Sequence, residues 1–121
     1  MTPGADATAT LTVTAADTAT SLGSGDVDVL GTPRLIALCE RATVRVVADE
    51  LPADQTTVGT RVELDHLRPS FVGATVVAHA LLVDIDGGRL RFDVEARDGE
   101  TVVARGTVVR ALVDRAKFAT P

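Results

Sequence analysis

Residues 32–50 read Thr32-Pro33-Arg34-Leu35-Ile36-Ala37-Leu38-Cys39-Glu40-Arg41-Ala42-Thr43-Val44-Arg45-Val46-Val47-Ala48-Asp49-Glu50, a run with a sustained helical period. Leu35, Leu38, Cys39, Ala42 and Val46 recur near every 3.6 residues, while Arg41, Arg45 and Asp49 fall mostly on the other side. At the start, a threonine hydroxyl can accept from an orphan backbone N–H, and proline at the first helical position forfeits no hydrogen bond. The pattern therefore predicts Thr32 as N-cap of a helix from Pro33 to about Glu50, ended by Pro52.

Outward from this helix the chain reads as sheet. Ala9 to Thr14 alternates threonine with apolar residues, a first strand, and Ser21 to Asp26 reads as loop. Beyond Pro52 come four strand-like runs, Thr57–Leu67, Ala74–Asp84, Arg89–Arg97 and Thr101–Val113. Asp86-Gly87-Gly88 and Asp98-Gly99-Glu100 between them are hairpin signals. In the third run Leu90, Phe92, Val94 and Ala96 alternate with Arg89, Arg91, Asp93, Glu95 and Arg97, so one face is buried and one is wet.

With one helix and five strands, the simplest burial is an antiparallel sheet, largely a meander, curling around the helix: an α+β architecture. Its open edges invite pairing between subunits. At 121 residues the chain is one domain's worth. Residues 1–8 are expected to be disordered, with a single domain over 9–121.

Composition removes several function classes. The formal net charge is −5 and no basic stripe or stacking series exists, there being 3 Phe and no Trp or Tyr, so nucleic acid is a poor partner. No stretch approaches the roughly 20 apolar residues that span a bilayer, and the N-terminus lacks a signal pattern, so a soluble, unprocessed protein is expected. The single cysteine, Cys39, cannot form an intramolecular disulfide, and metal-ligand spacings are missing. A reducing, cytoplasmic setting with no metal is the expectation.

Three residues stand out chemically. His66 falls by period 2 on a face with Val58, Thr60, Val62 and Leu64, with Gly59, Arg61, Glu63 and Asp65 opposite. An imidazole at the end of an apolar stripe suits a general base, since its ordinary pKa near 6.5 leaves it neutral at cellular pH; a core histidine satisfied by backbone is the plain alternative. Glu40 lies two turns into a central helix, where a carboxylate is costly unless paired or turned to solvent or a partner. Thr32 is explained as a cap unless other evidence raises it. Thr32 and Glu40 are eight residues apart, about 12 Å along a helix at roughly 1.5 Å per residue. They cannot bond directly in one chain, so a shared site has substrate between them or is completed across a two-fold axis. His79 reads as structural, because Val77 and Leu81 beside it offer no polar partner.

The assembled motifs resemble those of hot-dog thioesterases, and among them the fluoroacetyl-CoA thioesterase family. The match rests on Val29 to Glu40 with its threonine and glutamate spacing, on Val58 to Pro69 followed by Gly73 to Val76, and on Gly106 to Arg110 ending in Lys117-Phe118. The resemblance covers roughly residues 10 to 118. It implies a hot-dog fold and a homodimer that hydrolyses a short or medium acyl-CoA, with no cofactor beyond the coenzyme A of the substrate. It further implies Thr32, Glu40 and His66 as the catalytic set, with Gly59 and Arg110 contacting the acyl-CoA. Residues 23–28 carry no aromatic side chain of the kind that covers the acyl group in fluoroacetyl-CoA enzymes, so strict fluoroacetyl specificity is not expected. A hot-dog enoyl-CoA hydratase or dehydratase, a non-catalytic acyl-CoA-binding dimer and an inactive structural dimer are the alternatives.

Overall fold

In a computed structural model describing all 121 residues, one long helix lies against an antiparallel sheet of five strands. The strands are β1 (Asp6–Thr12), β2 (Gln55–His66), β3 (Thr75–Asp86), β4 (Arg89–Asp98) and β5 (Thr101–Asp114). Short helix α1 (Ala19–Leu22) precedes the main helix α2 (Thr32–Val47), and α3 (Arg115–Ala119) closes the chain. The spatial order β1-β3-β4-β5-β2 leaves a meander in the middle, with β1 and β2 as the two edges. Both predicted hairpins form: Asp86 pairs with Arg89 and Asp98 with Thr101 across two-residue turns. Gly87 (φ 61°) and Gly99 (φ 60°) supply the left-handed backbone those turns need.

The predicted apolar face of β4 is the core face: Leu90, Phe92, Val94 and Ala96 are all buried. Helix α2 buries Leu35, Leu38, Cys39, Ala42, Thr43 and Val47 and packs chiefly on β1 and β3. The register aligns small residues across the sheet. Ala9 pairs with Ala78, Ala78 with Ala96 and Ala96 with Ala104, and the row ends on the edge strand at His66. Nearer the other end, Ile85, Leu90, Arg110 and Gly59 form a second row. An arginine thus sits where the pattern supplies aliphatic residues.

Four sequence expectations are corrected. The helix begins one residue early, with Gly31 as N-cap, because Gly31 O accepts from the N–H groups of Arg34 and Leu35. Thr32 is therefore the first helical residue, its hydroxyl does not cap, and α2 ends at Val47 in a 3-10 turn over Ala48–Glu50. Residues 6–8 are not disordered: Asp6, Ala7 and Thr8 pair with Leu81, Ala80 and His79 of β3, a partner that local composition does not reveal. Residues 21–22 end α1 rather than lying in loop, capped by Thr18 at its start.

The fourth correction concerns the faces of β2. Gly59 pairs with Arg110 and Arg61 with Val109, so Thr60 is an extra residue, a β-bulge. Strict alternation runs only from Arg61 to His66. Before the bulge the phase reverses, so Gly59 and the buried Thr57 share the helix-facing side with Val62, Leu64 and His66, and Val58 does not.

Candidate active site

The start of α2 and the end of β2 meet. Thr32 Oγ1 lies 2.7 Å from His66 Nδ1, a hydrogen bond between residues 34 apart in sequence. Position 32 is set by local anchoring: Gly31 N–H donates to Asp17 O at 2.9 Å, and Leu30 N–H donates to Ser70 O at 2.8 Å. Asp17 accepts from Thr14 N–H (2.8 Å), the Thr14 hydroxyl (3.0 Å) and Arg34 Nε (2.9 Å), tying the preceding segment to the first turn of the helix. Those donors, the Thr14 amide foremost, hold the Asp17 carboxyl below the usual carboxylate range.

Thr32 is exposed and His66 half-buried, and both line a cavity of about 290 Å³ whose walls include Val29, Leu30, Leu67 and Arg68. Burial lowers the imidazole's pKa below its ordinary 6.5, and the backbone of Arg68 partly offsets this by favouring the protonated ring. A neutral imidazole hydrogen-bonded to a hydroxyl is a base and a proton source in reach of each other. The far ring nitrogen, Nε2, is buried without a hydrogen-bond partner.

Glu40 does not join this pair. Its carboxylate takes a hydrogen bond of 3.1 Å from Arg110 Nη1, and Arg110 also donates from Nε to Thr57 Oγ1 (2.9 Å) and from Nη2 to Thr57 O (3.0 Å). Arg110 is only 6% exposed, so all three bonds stand in place of its hydration. Burial pulls the guanidinium down from its ordinary value and Glu40 pulls it back. Gly59 lies against the same carboxylate: a Cβ there would overlap Glu40 Oε2. Six paired steps of strand, the bulged Thr60 not counted, separate His66 from Gly59, about 20 Å at roughly 3.3 Å per residue. One chain therefore carries two clusters, Thr32 with His66 and Glu40 with Arg110, Thr57 and Gly59.

A larger cavity, about 490 Å³, opens on the outer face of the sheet between His79, Asp93, Glu95 and Arg105. His79 does have an acidic partner there, Asp6 Oδ2 at 2.7 Å, contributed by β1. Its imidazole is paired with a carboxylate rather than with a hydroxyl, although Thr107 also lines the cavity.

A family model described as fluoroacetyl-CoA-specific thioesterase, FlK, matches residues 13–116. The chain belongs to that family. A curated relative, the fluoroacetyl-CoA thioesterase of Streptantibioticus cattleyicolor, is 33% identical over 91 residues, covering 75% of this chain and 66% of the relative. The chain thus spans just under two thirds of that relative's length. A crystal structure of an FlK mutant with fluoroacetate and CoA superposes with a TM-score of 0.90 at 29% identity, covering 98% of this chain and 99% of that one. A hot-dog-like protein from Thermanaerovibrio acidaminovorans shares the fold at a TM-score of 0.86 and 22% identity, covering 96% of this chain and 86% of that one.

Within this FlK-family fold, sequence reading overlooked Thr57, which fixes Arg110 through both its side chain and its carbonyl. Its signal was indirect: an arginine inside Val108-Val109-Arg110-Ala111-Leu112 demands buried acceptors. The stretch ending in Arg68 and Pro69 carried part of the resemblance but was given no role, although both residues wall the cavity and the next residue, Ser70, anchors Leu30.

Proposed function

We propose that the protein is an acyl-CoA thioesterase, cleaving a short or medium acyl-CoA to the carboxylate and free CoA. The observation that carries this reading is the 2.7 Å contact between Thr32 Oγ1 and His66 Nδ1 at the wall of an open cavity. His66 accepts a proton from the Thr32 hydroxyl, or from a water that the hydroxyl positions, as oxygen attacks the thioester carbonyl carbon. The C–O bond forms, the C–S bond breaks, and the imidazolium returns its proton to the departing CoA sulfur. If Thr32 is the attacking group, a second water repeats the sequence to release the acyl chain. The positive end of the α2 dipole lies at Thr32, where oxyanion charge would develop. CoA enters as part of the substrate and the chemistry requires no cofactor.

The working unit in this reading is a homodimer. Strand β2 is a twelve-residue edge, and its two ends carry the two clusters. Antiparallel pairing of β2 with its copy sets the Thr32–His66 end of one subunit beside the Glu40–Arg110 end of the other. Gly59 and Arg110 then serve the acyl-CoA from the partner side, Gly59 by its bare backbone and Arg110 by fixing Glu40. Cys39, the sole cysteine, is buried and has no disulfide partner within the chain, which fits a reducing, cytoplasmic setting.

The test is release of free thiol from acyl-CoAs running from acetyl and fluoroacetyl to long chains, with His66→Ala beside the native protein. Thiol release that disappears in His66→Ala supports the reading. Hydration of an enoyl-CoA with no thiol release would replace it with a hydratase, and binding without turnover would replace it with an acyl-CoA-binding dimer.

A further inference from the structure

The cavity shared by Thr32 and His66 has a one-sided charge. Of the nine residues that line it, Arg68 is the only arginine or lysine, and none is an aspartate or glutamate. Helix α2, 16 residues long, opens on it at Thr32 and adds the positive end of its dipole. In a chain with a formal net charge of −5, this is a wall that favours an anion.

Arg68 is also free to take one. Arg34, Arg61, Arg97, Arg105 and Arg110 each hold a carboxylate, whereas the exposed Arg68 guanidinium enters no ion pair within the chain. Its backbone, by contrast, is fixed. Leu67 N–H donates to Val103 O at 2.7 Å, Leu30 N–H donates to Ser70 O at 2.8 Å, and Pro69 confines the residue before it to extended conformations. A set backbone thus presents an unpaired planar fork, which matches a carboxylate through two parallel hydrogen bonds.

Reach decides which anion. Arg68 follows His66 by two residues, at most about 7 Å of chain at roughly 3.5 Å per residue. The pantetheine arm of CoA is comparable to a stretch of about four residues, and extends roughly 14 Å from the thioester sulfur to its first phosphate. With the thioester carbon at the Thr32 hydroxyl and the arm extended, the CoA phosphates pass beyond this wall. We infer that Arg68 binds a carboxylate at the far end of the acyl chain, so that short dicarboxylic acyl-CoAs, of the glutaryl kind, are preferred over their uncharged counterparts. This rests on, and narrows, the reading of the protein as an acyl-CoA thioesterase. Arg68 selects the substrate and takes no part in bond breaking.

Glutaryl-CoA and pentanoyl-CoA share a chain and differ in ending on a carboxylate or a methyl group. The native protein is expected to release thiol from glutaryl-CoA with a kcat/KM about 10-fold above that for pentanoyl-CoA, the scale of a hydrogen bond to a charged group. Arg68→Met should erase that ratio, and Arg68→Lys should retain part of it. A native protein that favours pentanoyl-CoA overturns the inference whether or not the variants fold. So does an Arg68→Met protein that keeps the native ratio. Equal losses on both substrates in Arg68→Met would assign the guanidinium to the CoA phosphates, and dissociation to monomers would assign it to the subunit contact; either overturns the inference. Calorimetry of both thioesters on His66→Ala reads the same preference as a ratio of Kd values with no turnover. Selective binding in a protein that cleaves no thioester would sink the thioesterase reading alone, and thiol release without preference would sink the inference alone.

Discussion

Gly59 makes room for Glu40: a Cβ at position 59 would overlap the carboxylate and approach Arg110 Nη1 to 3.4 Å. The glycine is therefore required by a neighbour, since its own φ is not in the left-handed region.

Gly59→Ala should displace Glu40 from Arg110 while leaving the strand paired. The expected result is a fall in kcat/KM of about 100-fold, the scale at which misplacement of a catalytic group by an ångström is felt. Circular dichroism and Tm should change little. An alanine variant with native turnover would remove Glu40's placement from the mechanism.

Thr32 and His66 act as one unit, so their losses should not multiply. Thr32→Ala and His66→Ala are each expected to lower kcat by about 10²–10⁴-fold, and the double variant to be no slower than the worse single one. Additive losses in the double-mutant cycle would mean that the two groups work independently.

The pH dependence follows from the depressed pKa of His66. The ring must be neutral to act as base, so kcat/KM should rise with pH through an apparent pKa below 6.5 and be flat at neutrality. Stability should move the same way. Because the unfolded histidine binds a proton more readily than the folded one, the folded state gains stability as pH rises from the folded pKa toward 6.5. A kcat/KM profile still rising above pH 7 would contradict burial as the cause.

Arg110→Met strips the pairing from Glu40 and the donors from Thr57. Breaking a fully buried pair costs about 3–5 kcal/mol. The Glu40 side chain is 33% exposed, so about 2 kcal/mol and a Tm lower by roughly 5–10 °C are expected by calorimetry. Arg110→Lys should recover little, because an ammonium cannot reproduce the three directed bonds.

If the site is shared across a two-fold axis, inactive Thr32→Ala and inactive Glu40→Ala should complement when mixed under exchange conditions. Random pairing makes half the dimers mixed, each with one intact site, so about a quarter of native activity should return. No recovery, with exchange shown by mass, would confine the site to one subunit.

Much of this architecture is legible from residue patterns. The apolar alternation of β4 and the two Gly-containing turns specify their elements by local chemistry, and the fold returns them nearly unchanged. Glu40 and His66 were visible as polar groups in apolar settings, whereas Thr32 read as a cap and only the family resemblance raised it further. What local pattern could not convey is which strands pair: β1 starts at Asp6 because β3 offers it partners, and Asp6 reaches His79 only through that pairing. The capping role given to Thr32 failed because the segment before it is anchored so that Gly31 takes the cap position, which makes Thr32 the first helical residue and leaves its hydroxyl to His66. Thr57 was invisible because threonine needs no explanation until a buried arginine is beside it.

The extra residue Thr60 acts as a phase shifter in β2. It resets the pleat midway, so a strand that would otherwise present His66 and hide Gly59 presents both on one side. Deleting Thr60 would leave Gly59 opposite Arg110 and Arg61 opposite Val109 in plain alternation, whereas inserting one further residue there would turn Gly59 and Thr57 toward solvent and leave Arg110 without its Thr57 acceptors. One unpaired residue thus lets a single edge strand serve both clusters from the same face, Gly59 and Thr57 toward Arg110 and His66 toward Thr32.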